Sequence, residues 1–171
     1  MPEADDWLRQ LPPLARFVLQ GGRTAREAAG RAFGVALPEG ACRAHSDREH
    51  AALWLGPDEQ LLLAPAADGL RLQAKVAAAL QGIAHSLVDV SQRQSALAVT
   101  GPRARDLLSS GCPLDLDPEA FPVHSCARTL FARAEVVLWR PDAEEYHLEI
   151  PRSFSRYVLE WLREVVRSDH P

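Results

Sequence analysis

Asp89, set between Val88 and Val90 in an otherwise apolar run, is the carboxylate whose placement most invites chemistry. A strand acid of this kind either works on a ligand or hydrogen-bonds the amides of the next loop, because a buried carboxylate must find donors. The densest set of metal-capable groups is His45-Ser-Asp47-Arg-Glu49-His50. Its spacing matches no zinc-finger or zincin pattern, so it reads as a solvated polar turn. Cys42, Cys112 and Cys126 make no C-x-x-C and sit among apolar or Pro neighbours, which suits small buried residues better than nucleophiles. Gly101-Pro102-Arg103-Ala104-Arg105 would hold an anion if free N–H groups at a helix start and both guanidiniums faced it. The same residues also make an ordinary helix start, with Pro at the first position and solvated arginines. Neither G-x-G-x-x-G nor G-x-x-x-x-G-K-S/T occurs, and Ser109-Ser110-Gly111 reads as a helix end, not a nucleophile elbow. The residues alone therefore nominate no catalytic, cofactor-binding or metal-binding set.

The elements that would position these groups follow from period and punctuation. Leu14–Gln20 reads as a strand ended by Gly21-Gly22. Thr24-Ala-Arg-Glu27 has the form of a capping box, and Ala25, Ala28, Ala29 and Ala32 repeat at helical spacing up to Gly34, which predicts a helix over 25–33. His50–Leu55 and Gln60–Ala64 form a hairpin across Gly56-Pro57-Asp58-Glu59. Asp68 is placed to cap a second helix with Leu72, Val76, Ala79, Leu80 and Ile83 on one face, and His85–Val90 is a further strand. The order strand, helix, strand, strand, helix, strand is the split βαβ pattern of a ferredoxin-like sheet. Gln94–Thr100 then opens a second lobe, followed by a helix after Gly101-Pro102 that turns Leu107 and Leu108 inward. Residues 112–124 are Pro-rich and irregular. Ser125–Phe131, Glu135–Trp139 and Tyr146–Ile150 read as an antiparallel meander, with Tyr146, Leu148 and Ile150 inward and His147 and Glu149 outward. Phe154, Val158, Trp161, Leu162 and Val165 stripe a final amphipathic helix, with Trp161 at its centre.

The expected fold class is thus α+β: a tail over 1–13, a ferredoxin-like lobe over 14–91 and a second small α+β lobe over 92–171 with a meander and a C-terminal helix. A chain of 171 residues, 47% hydrophobic and 25% charged, has room for these lobes and needs no disulfide or metal to fold. The net charge of −4, with cations scattered among acids, argues against nucleic acid as a partner. No apolar run approaches the roughly 20 residues of a membrane span. MPEADDWLRQLPP contains no apolar leader and the cysteines are odd in number and widely spaced, which points to a cytoplasmic setting. Its acids and prolines suggest a free end, or a segment that docks Trp7 and Leu11 on a partner.

The order of several motifs carries a resemblance. Trp54-Leu-Gly-Pro-Asp-Glu59 with Leu61-Leu-Leu63, Leu87-Val-Asp-Val-Ser-Gln-Arg-Gln94, Leu97-Ala-Val-Thr-Gly-Pro-Arg-Ala-Arg-Asp-Leu-Leu108, Gly111-Cys-Pro-Leu-Asp-Leu116, and Cys126-Ala-Arg-Thr-Leu130 before Glu135-Val-Val-Leu-Trp139 resemble the gamma subunits of heterotetrameric sarcosine oxidases. The likeness covers about residues 48–165. Gln92 stands where the related D-x-S-H-R pattern has His, which leaves open an oxidase acting on another N-methyl amino acid. The gamma family is similar in fold to the folate-binding region of the glycine-cleavage aminomethyltransferase.

The resemblance implies an accessory, non-catalytic chain in a cytoplasmic complex that oxidatively demethylates sarcosine to glycine, with folate as one-carbon acceptor. Its partners would be alpha, beta and delta subunits. Alpha would carry the dinucleotide and folate sites and beta the flavins and substrate pocket, so FAD, FMN, NAD and tetrahydrofolate would all lie outside this chain. A second reading is a stand-alone folate-binding or aminomethyltransferase-like protein, for which Asp89 is the obvious acid. A third is an interaction domain that docks through its sheet. Docking candidates for an accessory chain are the segment around Trp7, the 112–124 loop with Phe121, and the edge of the meander.

Overall fold

The computed structural model describes residues 7–168. The chain runs β1 (Leu8–Gln10), β2 (Leu14–Gly21), α1 (Arg23–Phe33), β3 (Ala44–Ser46), β4 (Ala51–Gly56), β5 (Glu59–Pro65), α2 (Gly69–Ala79) and β6 (His85–Asp89). It continues β7 (Gln94–Thr100), α3 (Ala104–Ser109), β8 (Cys126–Phe131), β9 (Ala134–Asp142), β10 (Glu145–Pro151) and α4 (Ser155–Ser168). Pro13–Ser91 forms one compact unit, and residues 7–12 with 92–168 form another. The architecture is the expected α+β class, with two antiparallel sheets and a C-terminal helix.

The first unit has strand order β3-β4-β5-β2-β6. Without β3 this is the ferredoxin-like arrangement that the βαββαβ order predicts. Phe17 and Leu19 of β2, Leu62 and Ala64 of β5, and Leu72 and Val76 of α2 build its core with the alanine face of α1. Ala25, Ala28, Ala29 and Ala32 all turn inward as the period predicts, and Gly34 ends α1 at φ +102°, donating its N–H to Gly30 O. The capping box does not form. Gly22 is the N-cap, Thr24 lies inside the helix, and Glu27 accepts from Arg23 Nε at 3.0 Å one turn back, so its carboxylate is engaged elsewhere. Asp68 precedes α2 without capping it, because a short 3-10 turn over Ala66–Asp68 leads in and the carboxylate takes Arg71 Nη2 at 2.7 Å. Ala79 is exposed, leaving Leu72, Val76 and Leu80 as the buried line.

The second unit orders its strands β1-β7-β10-β9-β8. The expectation of a free N-terminal segment changes here. Leu8 pairs with Val99 and Gln10 with Leu97, Leu8 is buried, and Trp7 packs against the core. Only residues 1–6 of that segment lie outside the described residues. β8, β9 and β10 form the expected meander, with Phe131, Val136, Leu138, Tyr146, Leu148 and Ile150 facing one core and α4 adding Val158 and Leu162. Three expectations about side chains are corrected. Phe154 sits in a 3-10 turn over Arg152–Phe154 and is 41% exposed, because that turn breaks the helical phase ahead of α4. Glu149 is buried, not outward. Trp161 flanks the stripe half-buried, with its ring edge-on to Phe131 at 5.0 Å and 83°. Gly111 lies against both rings: a Cβ there would come within 2.9 Å of each, so this contact requires glycine. Among the described residues no helix is long and apolar enough to cross a membrane.

Candidate functional site

Asp89 is exposed, since β6 is an edge strand that pairs only with β2. Its Oδ1 accepts from Ser91 N at 2.8 Å and Ser91 Oγ at 2.5 Å, and Ser91 Oγ in turn accepts from Arg16 N at 2.9 Å. Val90 N donates to Arg16 O at 2.8 Å. The Asp-Val-Ser step therefore fastens the end of β6 to β2, and the acid serves the backbone of the following turn. Replacing Ser91 with Ala leaves the partly buried Arg16 N–H without its acceptor, with an expected cost of about 1–3 kcal/mol in urea unfolding. A change under about 0.3 kcal/mol would assign the hydroxyl no structural role.

The other sequence candidates do not converge. Asp47 Oδ1 accepts from Glu49 N at 2.8 Å and His50 N at 2.7 Å, an Asx turn whose amide hydrogen bonds hold the Asp47 carboxyl below its usual range. His45 points away, with Nδ1 2.8 Å from Ala36 O, and His50 lies beside the Phe33 ring at 5.0 Å. No group of three or more His, Cys, Asp or Glu gathers as a metal set among the described residues. Cys112 and Cys126 are buried as expected, whereas Cys42 is exposed at φ +59° in a turn between elements. Pro102 does not open α3. Gly101 at φ +95° makes a preceding turn, Arg103 becomes the N-cap, and Arg105 faces Asp106 at 3.4 Å and Asp117 at 3.9 Å.

Two polar constellations escaped the sequence reading. Arg140, 6% exposed, donates Nη1 to Phe121 O at 2.8 Å and Nη2 to Ala143 O at 2.6 Å, and its guanidinium lies 5.2 Å from the Tyr146 ring centroid. It ties the irregular 112–124 segment to the β9–β10 hairpin, and Phe121 is thereby a core residue, not a docking one. His147 stands edge-on to Trp139 at 4.9 Å, with Nε2 2.7 Å from Glu145 Oε1. Burial pushes the His147 imidazole below its ordinary value, while the Glu145 carboxylate pulls the other way. The folded state thus binds the proton less tightly than the unfolded chain, so this group's contribution to stability falls as pH drops through about 6.5. Imidazole NMR is expected to place the His147 midpoint below about 6.5, and Glu145→Gln is expected to lower it further. A midpoint above about 7 would reverse the order of the two effects.

An open groove of about 590 Å³ lies in the second unit, walled by Ser109–Pro113, Ala132–Arg133, Leu130, Tyr157 and Trp161. β8, the edge strand beside it, leaves Leu130 50% exposed. Phe154 and Tyr157 meet edge-on at 6.4 Å and are also exposed. An open strand edge beside an apolar groove exposes unpaired main-chain groups and apolar side chains together, and no acid–base pair lines this one.

Comparison with known proteins places the chain in a family. The family model described as "Sarcosine oxidase, gamma subunit family" matches residues 22–168. A relative from Corynebacterium sp. (strain P-1), "Sarcosine oxidase subunit gamma", is 37% identical over 136 residues, 79% of this chain and 66% of that protein. The chain therefore spans about two thirds of that relative's length. A chain of the heterotetrameric sarcosine oxidase from Corynebacterium sp. U-96, solved with pyrrole 2-carboxylate, superimposes with a TM-score of 0.87 at 31% identity, over 94% of this chain and 83% of that one. The aminomethyltransferase T of the Bartonella henselae glycine cleavage system shares the fold, with a TM-score of 0.71 at 15% identity over 94% of this chain and 46% of that one. With a family match over almost all of both units and a solved relative of the same fold, the chain belongs to the sarcosine oxidase gamma subunit family.

Proposed function

We propose that this chain is an accessory subunit of a cytoplasmic, heterotetrameric, flavin-dependent oxidase that demethylates sarcosine to glycine, assembled with alpha, beta and delta subunits. The observation that carries the reading is the family match over residues 22–168, which spans both units. Two features of the described residues support a chain without a cofactor site of its own. Asp89, the acid a folate pocket would use, is exposed and committed to Ser91, and the groove beside β8 has Arg133 as its one cation and no glycine-rich phosphate loop. FAD, FMN, NAD and tetrahydrofolate are accordingly assigned to the partner subunits, and no chemical step is assigned to this chain. Its work is to complete and hold the assembly.

The test is sarcosine-dependent peroxide production by this chain alone, by the other subunits alone, and by all four expressed together. The expected pattern is none, weak or short-lived, and full, with no flavin absorbance on the isolated chain. Turnover by the lone chain overturns the accessory role. Failure to associate with any flavoprotein subunit, together with tetrahydrofolate binding by the isolated chain, moves the assignment to the stand-alone folate-binding alternative.

A further inference from the structure

The four strands at the ends of the two sheets are not equally protected. β1 and β3 are three residues each, too short to template a partner, whereas β6 has five and β8 has six. Only β8 borders the apolar groove. Phe131 and Ala134 flank a two-residue turn and face each other across it, so they exchange main-chain hydrogen bonds. Leu130, one step back, therefore turns its N–H and C=O away from β9, whereas the next outward N–H, that of Ala132 in the turn, donates to Gly111 O at 2.7 Å. The large apolar side chains most exposed in this unit are Leu130, Phe154 and Tyr157: two line the groove and the third meets Tyr157 edge-on.

Charge selects what lies there. Arg133, at the hairpin tip, is exposed and has no ion-pair partner among the described residues. No acid lines the groove, and those on the flanking elements pair elsewhere: Glu135 with Arg128 at 3.9 Å, Glu160 with Arg156 at 2.7 Å and Glu164 with Arg167 at 3.5 Å. A lone cation at the mouth of an apolar groove complements a carboxylate carried next to an apolar side chain.

We propose that the β8 edge and its groove receive an extended segment of a partner subunit, which pairs with β8 as an added strand, inserts an aliphatic or aromatic side chain against Trp161 and Tyr157, and sets a carboxylate against Arg133. This rests on the accessory-subunit reading and names the surface that serves it. Strand addition supplies main-chain hydrogen bonds for affinity, and the groove and the arginine supply specificity.

The experiment co-expresses the full chain with its partner subunits and compares wild type, Leu130→Lys, Arg133→Glu and, on the other long edge, Val88→Lys. Circular dichroism melts establish that each variant folds. Leu130→Lys is expected to weaken association at least about tenfold, as charging a central interface position does. Arg133→Glu is expected to weaken it with a loss that shrinks as salt rises, because a rim charge acts through a screened attraction. Val88→Lys is expected to assemble as wild type does. If wild type assembles and both β8 variants assemble within about twofold of it, the proposed surface is wrong while the accessory role stands. If wild type binds no partner subunit, both fall. A homodimer of the chain alone that Leu130→Lys breaks would give the edge to a second copy and overturn the proposal.

Discussion

Replacing Arg140 with Met is expected to lower the stability of the second unit by about 3–5 kcal/mol. Met keeps most of the unbranched stem, so the change isolates the guanidinium. Two carbonyls then lose a charged donor, Phe121 O at 2.8 Å and Ala143 O at 2.6 Å, and Asp142 O loses a longer contact at 3.4 Å. Each hydrogen bond to a charged group contributes about 1.5–3 kcal/mol, and the stacking on Tyr146 adds about 1 kcal/mol. Against these stands the desolvation that the buried charge no longer suffers, which keeps the total well under the simple sum. Arg140→Lys separates charge from geometry. A single ammonium cannot reach two carbonyls on different segments, so Lys is expected to recover less than half of the loss. Urea unfolding followed by tryptophan fluorescence reads both, and hydrogen exchange at 117–125 should rise in each variant because Arg140 anchors that segment. A loss below about 1 kcal/mol for Arg140→Met would mean that water replaces the guanidinium at little cost.

Which parts of this molecule the sequence revealed follows from the range over which each feature is determined. Strands and helices with a local period were legible in outline: the alanine face of α1, Tyr146, Leu148 and Ile150 of β10, and Leu72, Val76 and Leu80 of α2 turn inward as their spacing says, although Glu149 is buried too and Ala79 is exposed. β1 was invisible because its partner β7 lies about ninety residues away and three residues carry no period. β3 was missed for the same lack of length. Asp89 looked buried because valines flank it, yet Val88 is itself 50% exposed, and nothing local distinguishes an edge strand from a central one. The capping box failed through a competition between two local signals, with Arg23 reaching Glu27 before the backbone could. Arg140 had no signature at all, since its acceptor Phe121 O lies nineteen residues upstream on a segment with no period of its own. The groove beside β8 was half legible: the meander edge was named as a docking candidate, but the aromatic wall from α4 depends on where the 3-10 turn resets the helical phase.

That phase shift makes a ranking testable. With Phe154 outside the stripe and Trp161 on its flank, the larger of the two fully buried side chains of α4 is Leu162, which joins Val158 in the cluster that includes Leu108, Phe131 and Ile150. Leu162→Ala is expected to cost about 2–5 kcal/mol, from lost transfer free energy and the cavity left where β7 and α3 pack on the helix. The upper half of that range applies because a helix packed against both β7 and α3 has little freedom to collapse into the space. Trp161→Ala removes more atoms, but its indole is half-exposed and lines an open groove, so solvent fills the vacated volume and the loss is expected near 2 kcal/mol, mostly the edge-on contact with Phe131. The order Leu162 before Trp161 is the checkable claim. Urea midpoints for the two variants, measured with equal unfolding slopes, should differ in that sense. If Trp161→Ala proves the costlier, the indole is the true centre of the stripe and α4 is rotated from the position described.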